Sequence, residues 1–558
     1  MYFGQCREFL HPPPLLLVSV ESCTAYAPVC VYTHVLAIMH RSKSHAAALG
    51  GYVESLFCFV LFFGCCFGLR VPFAFLVFFL QNISLNLLYC GFRWQVWVLN
   101  IAWLLYVLQF RHSSFCVGVI SFVIFHAFPV PSLHVPDVKR MFRNEKELYG
   151  VGFVDYEYEI NNTNKKAALG RMFYPTAKKA RSDPQEWNSY FFKADTAITR
   201  AFCGAFHFPS WLQFVIDHWT CIEAPMEWLP PVENSVPGEK REVVVFCHGL
   251  SGTRETNTSL AIALVRKRGC FVLCVEHTDA SCSLARFHNG GTMEYNFEPE
   301  AIRKKGGDTA FKEARRAQTR TRVEDVERTL SFLQALDDGL FFKTLENEVV
   351  NCRFFGVSPF DMVKQLSMFK GKVDTSNIVL GGHSFGGATV LAAACQVEKF
   401  HVKALFSLDP ACDWIPREVW HHFGKDGGDD VNPGGTLGIM NHFPLLTVFS
   451  SEWFEKDWNY NLMKGVSCGE QENHPNSCVC AIQGSKHMGF TEMLSFMPSW
   501  IGSVKAFRGF ASRSKPTEVV DSTVQCILTF LSLSASKKES LNQRTKMERI
   551  GLVYAYEE

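Results

Sequence analysis

Net charge is what this sequence has least of. Lys and Arg total 55 and Asp and Glu 54 in 558 residues, so no basic excess is available to hold nucleic acid or another polyanion. No internal repeat is visible, which sets aside solenoids and propellers. A secretory leader fits poorly: the apolar part of the chain begins too late and runs too long for one. Cysteine is plentiful at 21, but the count is odd and the residues are scattered. Several of them (Cys247, Cys274, Cys395, Cys526) lie within apolar runs, as buried free thiols do. Cys468, Cys478 and Cys480 with His474 between them match no common zinc spacing, so no metal is expected.

Charge is also nearly absent between about residue 52 and residue 133. Apolar blocks run Leu56 to Leu69, Val71 to Tyr89, Val96 to Phe110 and Phe115 to Phe128, punctuated by isolated Arg70, Arg93 and Arg111. A helix buried in a soluble protein needs a polar face elsewhere, and a membrane span needs about 20 apolar residues. Three or four transmembrane helices are therefore expected over residues 51–135. Arg7, Arg41 and Lys43 precede this region, and Lys139, Arg140, Arg143 and Lys146 follow it. Positive charge on both sides suits an even number of spans, with both ends and the downstream domain facing the cytosol. Sequons at Asn161 and Asn257 argue for a lumen instead. Residues 1–50, with Pro12-Pro13-Pro14, read as unstructured or as one extra span.

From about Glu145 to residue 535 the composition is that of a globular domain, followed by a polar tail over residues 536–558. Unbroken apolar runs predict buried strands at Val243–Cys247, Phe271–Val275, Ile378–Leu380, Ala404–Leu408, Leu445–Phe449 and Val479–Ile482. Helical stretches separate them, including Ser259 to Lys267 and Phe311 to Ala335. Strands of this kind alternating with helices give an α/β fold with a mostly parallel sheet covered on both faces.

Gly382-His383-Ser384-Phe385-Gly386 lies between the strand Asn377–Leu380 and the helix-forming run Ala388–Ala394. G-x-S-x-G in a strand–turn–helix context is a nucleophile elbow, and the whole pattern is that of an α/β-hydrolase. The flanking glycines keep side chains away from the neighbouring strand and helix. A serine hydroxyl needs a base to remove its proton, and a carboxylate to hold that base in the right tautomer. Asp409 ends the strand Ala404–Leu408, with Asp413 as a nearby competitor. His487 follows the last strand in Gly484-Ser485-Lys486-His487; His421, His422, His442 and His474 lack that context. Two N–H donors are needed for the oxyanion. Phe385 supplies one, and Leu250, in His248-Gly249-Leu250-Ser251-Gly252 after an early strand, supplies the other. His248 reads as a packing residue beside that turn.

The ordered blocks Val245–Gly252, Val275-Glu276-His277, Pro359–Met362, Gly382–Val390, Leu408-Asp409 and Gly484–His487 resemble the platelet-activating factor acetylhydrolase family, the plasma and intracellular type II lipases. The resemblance spans about residues 150–500. It implies a triad of Ser384, Asp409 and His487, oxyanion amides on Leu250 and Phe385, and calcium-independent hydrolysis of short or oxidised sn-2 acyl chains, with no cofactor. Two features depart from the family: Pro410-Ala411-Cys412-Asp413 after the acid, and the polar insertion Gly469 to Asn476. The apolar N-terminal region has no counterpart in it.

Phe208–Ile216, carrying Trp211 and Phe214, reads either as an interfacial helix or as one packed on the core. Gly489 to Trp500 reads as an acyl-pocket wall or as core. The expected function is a membrane-anchored serine esterase acting on phospholipid. A broader carboxylesterase or lipase is the nearest alternative. A membrane scaffold with a dead hydrolase domain is opposed by the intact triad positions. The oligomeric state is not legible.

Overall fold

The structure is a computed structural model. It describes most of residues 149–420, 443–454, 477–493 and 514–534, helical pieces between 56 and 120, and the strand Val553–Ala555.

The principal strands are β1 (Gly150–Asn161), β2 (Ala168–Thr176), β3 (Arg241–Cys247), β4 (Phe271–Glu276), β5 (Glu348–Phe354), β6 (Val373–His383), β7 (Val402–Leu408), β8 (Leu445–Ser450), β9 (Cys478–Ile482) and β10 (Val553–Ala555). They lie side by side in the order β5-β1-β2-β4-β3-β6-β7-β8-β9-β10. The central run from β4 to β9 is parallel. The flanks β5-β1-β2 and β10 are antiparallel.

Each predicted strand is present, and β3 shows why an unbroken apolar run was the right signal. Val243, Val245 and Cys247 enter one core cluster, and Val244 and Phe246 enter the other. Both faces are buried, so neither can be polar. The helices labelled here are α1 (Trp94–Val107), α2 (Thr258–Arg268), α3 (Glu298–Asp338), α4 (Phe385–Gln396) and α5 (Pro516–Ser534). α3 and α4 cover the first face, and α2 and α5 the second. Burying one Val or Leu side chain contributes about 1.5–3 kcal/mol, so the two clusters supply the main driving force for the fold.

Two expectations need correction. Among the described residues no helix is long and apolar enough to cross a membrane. α1, within the region expected to hold the spans, has 14 residues, where about 20 are needed. The bundle expected over residues 51–135 is thus unsupported; much of that region, and all of residues 1–50, lies outside the described residues. The tail is more than a polar end, since β10 within it pairs with β9. Its apolar Val553 and Tyr554 sit in a short unbroken run, Leu552 to Tyr556, inside an otherwise polar tail.

Candidate active site

Ser384, at the β6–α4 junction, has φ +57, the left-handed region that L-residues avoid. The elbow is held there from both sides. The Ser384 amide donates to Leu408 O at 2.8 Å, and its carbonyl accepts from Ala388 N at 3.2 Å and Ala411 N at 3.0 Å. Two glycines make the turn possible. A Cβ on Gly382 would lie 2.2 Å from Gly386 O, and one on Gly386 would lie 1.9 Å from Cys247 O. Gly386→Ala is therefore expected to destabilise the domain by about 3 kcal/mol, because backbone rather than a flexible side chain stands in the way. Gly204→Ala, inside the helix Thr196–Ala205 with nothing within 4 Å, is the control and should be neutral to slightly stabilising. Thermal melts of the two variants check the contrast.

Strands β6, β7 and β9 bring three side chains together. His487 Nε2 is 2.9 Å from Ser384 Oγ, and His487 Nδ1 is 3.0 Å from Asp409 Oδ2. Asp409 also has a strained φ, +43, and its carboxylate is fully buried. Ser450 donates to it twice, from its amide at 2.7 Å and its hydroxyl at 2.6 Å. Burial nevertheless pushes the Asp409 carboxyl up to about 7, and the Ser450 donors only partly offset this. The competitor Asp413 is instead paired with Lys312 at 3.2 Å.

Leu250 and Phe385 lie at the ends of β3 and β6. A Cβ on Gly249 would be 3.2 Å from Ser384 Cβ, so the Leu250 loop sits against the serine. Among the described residues, neither the Leu250 nor the Phe385 amide donates to the protein. His248 is buried, with Nδ1 2.7 Å from Gly249 O and Nε2 3.3 Å from Glu276 Oε1, a packing role beside the turn.

Several contributors escaped the sequence reading. Trp453 stacks on the His487 ring with centroids 4.2 Å apart and planes 7° apart. Glu452 Oε2 accepts the His487 amide at 3.2 Å. Ser450, Glu452 and Trp453 thus hold Asp409 and His487 from one turn. Their signal was position alone: they follow a predicted strand at the same sheet edge. His383 Nε2 donates to His487 O at 3.1 Å, and burial lowers its imidazole to about 3, so the ring stays neutral.

Other expectations fall in different places. Phe490 and Met493 are buried in the core, which favours the core reading for the start of that segment. Asn257 is buried and donates to Phe490 O at 3.1 Å, so this sequon is closed to modification in the folded domain. Trp211, Phe214, Phe496, Trp500, Cys468, His474, His421, His422, His442 and the segment 469–476 lie outside the described residues.

Residues 137–410 match the family model described as platelet-activating factor acetylhydrolase, isoform II. That segment is a domain of this family. The match ends one residue past Asp409, and His487 lies beyond it. The platelet-activating factor acetylhydrolase of Cavia porcellus is 26% identical over 364 residues, 65% of this chain and 71% of that protein. That of Canis lupus familiaris is 26% identical over 373 residues, 65% of this chain and 70% of that protein. That of Gallus gallus is 27% identical over 319 residues, 55% of this chain and 65% of that protein. Among solved structures, a ferulic acid esterase from Streptomyces cinnamoneus is similar at TM-score 0.43 and 13% identity, covering 74% of this chain and 98% of that one, too loose a likeness to argue from.

Proposed function

We propose that this chain is a membrane-associated serine esterase that hydrolyses the sn-2 acyl ester of phospholipids whose chain is short or oxidised, such as platelet-activating factor. The contact chain Ser384–His487–Asp409, at 2.9 and 3.0 Å on a strained elbow, carries the reading. The family domain and the named relatives support a hydrolase and a phospholipid substrate.

In the reaction, His487 Nε2 takes the proton of Ser384 as Oγ bonds to the ester carbonyl carbon. The carbonyl oxygen becomes an oxyanion held by the Leu250 and Phe385 amides. Asp409 accepts Nδ1–H, fixes the tautomer and stabilises the imidazolium. Collapse expels the lysophospholipid oxygen, which takes the proton from His487. Water, deprotonated by His487, then releases the acid from the acyl-enzyme. No step calls for a metal or organic cofactor.

Membrane association rests on the N-terminal helices. Ile101, Leu104 and Leu108 of α1 and its end are 49%, 49% and 55% exposed, and Val119 and Ile120 are also exposed. Gln81 is buried instead, donating to Asn100 at 2.6 Å. Exposed apolar side chains, with the polar Gln81 turned inward among buried Leu99, Trp103 and Tyr106, suit a lipid surround. The domain is proposed to face the cytosol.

Hydrolysis of 2-acetyl and 2-palmitoyl phosphatidylcholine by the full chain in matched micelles tests the substrate. The acetyl ester should be favoured by about 10-fold or more. Equal rates would replace this substrate class with long-chain phospholipids generally. Retention in the pellet after alkaline carbonate washing, with digestion of the domain by protease added outside sealed microsomes, is expected; protection would put the domain in the lumen.

A further inference from the structure

The two amides proposed for the oxyanion hole come from segments with no covalent tie to each other, the loop after β3 and the start of α4. A donor pair works only if its separation is held to about 0.5 Å. The segments meet directly at Gly249 and Gly386, and a side chain on α3 touches both. Arg322, on α3, is fully buried. Its Nη1 donates to His248 O at 2.9 Å, two residues before Leu250. Its guanidinium carbon lies 4.0 Å from the centre of the Phe385 ring.

Arg322 is itself held from the far side. Nε is 3.0 Å from Asp279 Oδ2 and 3.0 Å from Ser281 Oγ, and Nη2 is 2.5 Å from the same hydroxyl. Ser281 then returns to the loop: its carbonyl accepts the Ser251 amide at 2.8 Å. Ser283 adds two more ties, from Oγ to Ser251 O at 2.5 Å and from its amide to Gly252 O at 3.2 Å. Ser251 has φ +59, a strained conformation that the surrounding bonds must maintain. The 279–283 segment and Arg322 therefore form one bracket around the loop, and the bracket's other end is the face of Phe385.

We infer that Arg322 is the positioning residue of the oxyanion hole, fixing the Leu250 amide relative to the Phe385 amide. The inference rests on the esterase reading above. A guanidinium suits the task because its edge donates while its face stacks. An ammonium is a point donor and cannot do both at once.

The test uses the full chain with Arg322→Met and Arg322→Lys, turnover on a soluble acetyl ester, and active sites titrated with a fluorophosphonate. Turnover per titrated site should fall by about 10- to 100-fold in both variants, part of the loss seen when an oxyanion donor is removed outright. KM should move by less than about threefold. Affinity for an alkyl trifluoromethyl ketone, whose adduct on Ser384 carries the oxyanion, should fall in proportion to kcat/KM. Lysine should not rescue. Should Arg322→Met fail to fold, Phe385→Leu keeps the amide, removes the stacked ring, and should lose about 10-fold in kcat by the same route. Unchanged turnover per titrated site, a loss confined to KM, or rescue by lysine would overturn the inference while leaving the esterase reading standing. An unlabelled, inactive wild type would overturn both.

Discussion

Alanine at His487 is expected to lower turnover by about 10⁶-fold, the loss seen when the base of a serine triad is removed. Among the described residues, Ser384 Oγ would then have lost the imidazole nitrogen bonded to it, His487 Nε2 at 2.9 Å. The other imidazole nearby, His383, is committed: its Nε2 donates to His487 O, and burial holds the ring neutral. The fold should survive, since the His487 side chain is 20% exposed and lies at the sheet's rim. The variant also leaves a slot facing Trp453, whose indole covers the ring. Millimolar imidazole should restore part of the lost rate by occupying it. Steady-state kinetics with and without imidazole check both points. A loss below about 100-fold would mean that another group acts as the base.

The second large effect is at Asp409. Asparagine there is expected to lower kcat by about 10⁴-fold. An amide can present N–H to His487 Nδ1 in place of an acceptor, which drives the imidazole proton to Nε2, where it faces Ser384 and blocks proton transfer. Stability should move the other way. The folded carboxyl sits at about 7 against an ordinary 3.8, raised by burial. A raised acid means that the folded state binds its proton more tightly than the unfolded chain. The contribution is therefore favourable below about pH 4 and is lost as pH rises to about 7. Asparagine has no such dependence. The melting temperature of Asp409→Asn minus that of wild type should thus grow between pH 5 and pH 8. A flat difference would show that the buried carboxylate is not disfavoured.

Much of this site could be read from residue order, because an elbow constrains its neighbours chemically. Gly382 and Gly386 are required by backbone oxygens 2.2 and 1.9 Å from where a Cβ would be, and that requirement writes G-x-S-x-G into the chain. Asp409 and His487 follow strands, and a parallel sheet brings the ends of its strands to one edge. The central strands were legible for a related reason: burial on both faces leaves unbroken apolar runs. The antiparallel flank was not. β1 carries Asp155, Glu157 and Glu159 within Gly150–Asn161, and its buried Asp155 is neutralised by Arg171 of β2 at 2.8 Å. A charge matched only across strands looks like a surface residue in sequence. Trp453, Glu452 and Arg322 escaped likewise, since their meaning lies in contacts with residues tens of positions away.

Fluorophosphonate labelling of the folded full chain, with the adduct located by peptide mass spectrometry, tests the nucleophile most directly. One adduct is expected, on the peptide carrying residue 384, and it should vanish when histidine 487 is replaced by alanine. An adduct on another residue, or a folded and correctly assembled chain that takes up no probe, would contradict it.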